Sequence, residues 1–133
     1  MRYIKINFHI INILLIIFYL YPGSIIGCIF YNDCSLQPSI TRDLLVSSNH
    51  FYAFLLLSIL GFISYLKNNK KLIILYLFTI SIFFELFHLA IPKRSFQFSD
   101  LFGNMLGVLI SLIILILFNH WRKKWVHLMK EKK

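Results

Sequence analysis

No charged side chain occurs between Ile6 and Gly27, in residues 50–66 or in residues 101–118, and residues 72–91 contain one, Glu85. Each run is apolar and close to the roughly 20 residues that a helix needs to cross the hydrocarbon core of a bilayer, about 30 Å thick. Apolar residues make up 59% of the chain, and the 14 basic and five acidic residues are bunched between the runs. A water-soluble domain needs charges of both signs spread over its surface. The pattern therefore excludes a soluble enzyme, a secreted disulfide scaffold and a disordered tail. The net charge of +9 would suit nucleic acid only on a polar fold, so no nucleic-acid partner is expected.

The expected fold is all-α, a single polytopic domain over residues 1–133 with four transmembrane helices at about 6–27, 50–66, 72–91 and 101–118, and a basic tail at 119–133. Basic residues set the orientation. Arg2 and Lys5 precede the first run, Lys67, Lys70 and Lys71 separate the second from the third, and Arg122, Lys123, Lys124, Lys130, Lys132 and Lys133 follow the fourth. Only Arg42, Lys93 and Arg94 fall on the other side. Both termini should face the cytoplasm, with residues 28–49 and 92–100 outside.

A basic start before an apolar run also describes a signal peptide, and Ile25-Ile26-Gly27-Cys28 resembles a lipoprotein cleavage box. The run is longer than a signal core of roughly 7–15 residues, so a retained helix is expected, kinked or ended near Pro22-Gly23. In the tail, Trp121, Trp125 and Leu128 share one helical face among lysines. That is the composition of an interfacial anchor drawn to anionic lipid.

Ionisable groups in hydrocarbon are functional candidates because they are costly to bury there. Glu85, with His88 at i+3, lies about 10 Å inside the outer end of the third helix, counted from Pro92 at roughly 1.5 Å per residue. Asp100, Asn104, Gly107 and Ser111 form one stripe on the fourth helix. The short link that joins these two helices makes them antiparallel neighbours and carries Lys93 and Arg94. Arg94, Asp100, Asn104 and His50 are the expected ligand-binding groups. Arg94 would contact a phosphate or carboxylate, as its planar fork suits, while Glu85 and His88 are candidates for an acid and base. The competing account is structural, with Arg94 neutralising Glu85 or Asp100 and the cluster joining two helices. Gly103-x-x-x-Gly107 offers a small-residue surface for close helix packing.

Glu85-x-x-His88 has the spacing of di-iron bundles, but that site needs four glutamates and this chain has two, Glu85 and Glu131. Zinc through His50, His88 and Asp100 has no supporting spacing motif, so neither metal nor cofactor is expected. Cys28 and Cys34 share the outer segment, where they form a disulfide if the compartment is oxidising and stay free thiols otherwise.

Glu85-Leu-Phe-His88, then Arg94, then Asp100-Leu-Phe-Gly-Asn104-Met-Leu-Gly107 resembles the signature of the VanZ-like membrane proteins, and Asn49-His50-Phe51 resembles a further element of it. His88 stands where that family usually has Gln, Val46 and Ser47 where it has Asp-Lys, and Ser111 where a second Gly is common. The resemblance implies a multi-pass protein of the bacterial cytoplasmic membrane, in a group named for resistance to teicoplanin, a glycopeptide antibiotic. Its expected role is to bind or modify a lipid or a lipid-linked cell-wall precursor at the outer leaflet. The alternatives are an intramembrane enzyme using Glu85 and His88 and a small oligomeric transporter.

Overall fold

The computed structural model describes residues 2–43 and 45–131 and contains five helices: α1 (Arg2–Leu20), α2 (Ile25–Tyr31), α3 (Ser48–Tyr65), α4 (Lys70–Phe87) and α5 (Phe98–Glu131). No strand occurs among the described residues. Lys132 and Lys133 lie outside them, as do the side chains of Leu128 and Lys130.

The first apolar run is two helices rather than one. α1 stops at Leu20 because Pro22 has no N–H to continue it and Gly23 turns the backbone at φ 100°. A Cβ there would sit 2.7 Å from the Cys34 carbonyl oxygen. Ser24 then caps α2, its Oγ accepting from the Gly27 N–H at 3.0 Å. The segment closes on itself: Ser24 N–H donates to Cys34 O at 2.8 Å and the Cys28 and Cys34 sulfurs are bonded. Ser35 donates to Asp33 Oδ1 from its hydroxyl at 2.6 Å and its backbone N–H at 2.9 Å. These bonds hold the Asp33 carboxyl below its usual range.

α4 ends at Phe87, four residues before the expected boundary. The chain tightens there into i→i+3 bonds, with Leu89 N–H on Leu86 O and Ala90 N–H on Phe87 O, ahead of Pro92 and a left-handed Lys93 at φ 62°. α5 continues past residue 118 as one helix of 34 residues. At roughly 1.5 Å per residue that is about 51 Å, well beyond a hydrocarbon core of about 30 Å. The tail is thus a prolongation of α5 and not a separate surface segment.

α3 is the central element, packing on α1, α4 and most extensively on α5. Its seam with α5 is built on small residues. A Cβ on Gly103 would meet Ser47 O at 2.9 Å, and one on Gly107 would meet Phe51 O at 2.6 Å and Leu55 N at 2.8 Å. Ser111 Oγ bonds Leu55 O across the same seam at 3.0 Å. The glycines therefore serve α3, although the short link makes α4 the sequence neighbour of α5. On α1, His9 Nε2 meets Tyr65 Oη at 2.8 Å and Asn12 Nδ2 donates to Tyr76 Oη, which accounts for polar residues in an apolar run.

The core, around Phe54, Leu57, Phe62, Leu77 and Val108, also encloses Ser58, Ser81, Glu85, His88, Asn104 and Ser111, while large apolar residues such as Leu75, Phe83, Ile114 and Phe118 face outward. Polar inside and apolar outside is the distribution of a protein surrounded by lipid. Among the described residues, three helical stretches are long and apolar enough to cross a membrane: Arg2–Leu20, Ser48–Tyr65 and Phe98–Trp125. α4 is as long as α3 at 18 residues but includes three charges, Lys70, Lys71 and Glu85.

Candidate functional site

The C-terminal ends of α1 and α4 meet the N-terminal ends of α3 and α5, and the buried ionisable groups gather there. α4 supplies Glu85 and, at its C-cap, His88, α3 His50, α5 Asp100 and Asn104, and α1 Tyr19. Glu85 and Asn104 are fully enclosed and His88 is 2% exposed.

Hydrogen bonds assign a role to most polar atoms. Asn104 Nδ2 donates to Ser81 O at 3.1 Å, so its Oδ1 is left as the acceptor, taking the Tyr19 hydroxyl at 2.7 Å. His50 Nδ1 lies 3.2 Å from both Asn104 Oδ1 and Tyr19 Oη. Facing an acceptor-only oxygen, it carries a ring proton, and in the neutral imidazole Nε2 presents its lone pair. Nε2 is 3.4 Å from Asp100 Oδ2. His88 repeats the pattern: Nε2 donates to Tyr19 O at 3.1 Å and Nδ1 faces Glu85 Oε2 at 3.2 Å.

Glu85 is anchored through one oxygen. Gln97 N–H donates to Oε1 at 2.8 Å. Oε2 is buried and makes no aligned hydrogen bond, although His88 Nδ1 and, at 3.9 Å, His50 Nδ1 are close. The α4–α5 link thus folds back over the acid that precedes it.

Arg94 is placed differently from the structural account drawn from sequence. It pairs with neither Glu85 nor Asp100, whose ion-pair contacts are with His50 and His88. Its Nη2 donates to Phe18 O at 3.0 Å and its Nε to Tyr21 O at 3.3 Å. Those carbonyls lie at the C-terminal end of α1, where the helix dipole favours a cation. Partial burial draws the guanidinium down from its usual value while Asp100 and Glu85 act in the opposite direction, and it stays charged.

Beside the cluster is a cavity of about 260 Å³, lined by apolar residues such as Phe18, Ile25, Ile26 and Ala53 and by His50, His88 and Arg94. Asp100, Asn104 and Glu85 lie behind these residues and do not reach its wall. Of the expected ligand-binding residues, the cavity brings together His50 and Arg94 only. Tyr19 is the residue that sequence reasoning missed: it contacts both histidines, stacking on His88 with ring centroids 5.8 Å apart, and bonds Asn104. Its hydroxyl was the only signal, one among seven tyrosines.

A family model described as VanZ/LLP1 matches residues 6–119, a span that takes in Tyr19 and every residue of the cluster. No curated protein and no solved structure gives a match.

Proposed function

The chain belongs to the VanZ/LLP1 family, and on that premise we propose that it binds an anionic amphiphile of the cell envelope, a lipid or lipid-linked cell-wall precursor, and thereby alters glycopeptide susceptibility. The observation that carries this reading is the cavity, whose mainly apolar lining also includes Arg94, His50 and His88. Acyl or prenyl carbons would lie against Phe18, Ile25 and Ile26, and the headgroup would take the Arg94 donors left over by Phe18 O and Tyr21 O. Asn104 and Tyr19 would act at one remove, holding His50. An acid–base reaction by Glu85 and His88 is less well supported, because Glu85 has no surface on the cavity. In the test, native mass spectrometry of the detergent-purified protein should show a co-purifying lipid. Ala53→Phe, which adds bulk to the cavity and removes no polar group, should lose the lipid while keeping the wild-type melting temperature. A filled cavity that retains lipid would overturn the reading.

The cavity would open at the outer leaflet of the bacterial cytoplasmic membrane. We place α1, α3, α4 and α5 as four crossings, with both termini cytoplasmic, on the eleven-to-three division of basic residues. The bonded Cys28 and Cys34 suit an extracytoplasmic segment, where disulfides persist. Trp121, Trp125 and the neighbouring basic residues would then anchor the prolonged α5 to anionic lipid on the inner face. Reporter fusions after Lys71 and after Lys133 should read as cytoplasmic, and one after Pro92 as external. A cytoplasmic reading at Pro92 would invert the site.

A further inference from the structure

The cluster behind the cavity contains contacts that the hydrogen-bond network does not resolve. With Nδ1 committed to Asn104 and Tyr19, His50 turns an Nε2 lone pair toward Asp100 Oδ2 at 3.4 Å. Two acceptors this close repel unless a proton or a cation lies between them. Glu85 adds a second, independent feature, a fully buried Oε2 with no hydrogen bond, 3.9 Å from the His50 ring. One donor atom from each of His50, Glu85 and Asp100 lies within 4.8 Å of the others.

We propose that His50, Glu85 and Asp100 bind a divalent metal ion of the zinc class. Each residue is held through one atom and offers another. His50 is held at Nδ1, Glu85 at Oε1 by Gln97 N–H, and Asp100 at Oδ1 by the Ser99 hydroxyl at 3.3 Å. Such outer contacts characteristically orient metal ligands: the second imidazole nitrogen of a ligating histidine donates to a fixed oxygen, as His50 Nδ1 does here. One imidazole and two carboxylates suit a first-row divalent ion of intermediate hardness. Two carboxylates also neutralise its charge, which lowers the cost of holding it away from water. His88 Nδ1, whose ring proton is on Nε2, turns a lone pair toward the same Glu85 oxygen at 3.2 Å, a second close pair of acceptors that a cation or a proton would relieve. The ligands come from α3, α4 and α5, so no spacing motif could announce them. The proposal is independent of the amphiphile reading, since none of its evidence is the cavity.

The test is titration of the detergent-purified, chelator-treated protein with Co²⁺ alone, read by visible d–d absorption, followed by displacement with Zn²⁺. A saturating band at a single equivalent, removed by Zn²⁺, is the expected result. Asp100→Asn, which keeps size and hydrogen bonding, should weaken Co²⁺ binding at least about tenfold while far-ultraviolet circular dichroism shows a folded protein. If that variant does not fold, Glu85→Gln is read the same way. A wild-type protein that gives no cobalt spectrum would overturn the proposal and leave protons between the paired groups. So would a folded variant that binds Co²⁺ as tightly as wild type. Lipid binding that survives removal of the metal would leave the amphiphile reading standing by itself.

Discussion

Gly107→Ala should destabilise the protein by about 1–3 kcal/mol, the usual cost of overpacking a tight interior. The added methyl would lie 2.6 Å from Phe51 O and 2.8 Å from Leu55 N. Both are backbone atoms of α3, so no rotamer change relieves the contact; the two helices must separate along their most extensive seam. A better helix propensity returns at most about 1 kcal/mol, too little to reverse the sign. Gly61→Ala is the matched control. Its Cβ would meet Phe8 Cε2 at 2.9 Å and Ile73 Cδ1 at 3.3 Å, side-chain atoms with no backbone among them, so it should cost less than Gly107→Ala. A thermal melt in detergent checks both. Similar melting temperatures for the two variants would mean that the α3–α5 backbones are not in contact.

Arg94→Lys should abolish lipid retention and any effect on glycopeptide susceptibility while leaving the melt close to that of wild type. The two outcomes separate because the arginine has two tasks. Toward α1 it supplies a positive charge near the Phe18 and Tyr21 carbonyls, which lysine also supplies, and the site is open enough for water to replace a lost bond. Toward the cavity it offers parallel N–H donors from a planar fork, which lysine cannot reproduce. Loss of phenotype that only follows a lower melting temperature would make Arg94 a cap for α1 and nothing more. Retained lipid in a normally melting variant would remove it from the headgroup site.

Uncharged runs, bunched basic residues and the Glu85 to Gly107 signature were enough to identify an all-helical membrane protein of this family before any coordinate was known. They did so because burying a charge or an unpaired backbone group in hydrocarbon is so costly that it restricts composition residue by residue. Helix ends were less legible. Pro22 marked the end of α1 because a missing N–H is a local fact. The early end of α4 and the prolongation of α5 were hidden, since neither depends on hydropathy alone.

What the sequence by itself determined was which residues are buried, polar and costly; what they do with one another was decided by tertiary structure. The spacing of Glu85, Arg94 and Asp100 invited an ion pair between neighbours in sequence. Folding instead sends Arg94 to the carbonyls of α1 and leaves the acids to histidines from α3 and α4. Tyr19, 85 residues from Asn104, enters the centre of the cluster, and Gly107 meets α3 instead of the helix joined to it by the shortest link. Hydropathy acts on each residue against its solvent, so it can be read along the chain. Hydrogen bonds and close helix contacts act between particular atoms, and the chain order does not record which of them the packing of four long helices will bring within 3 to 4 Å.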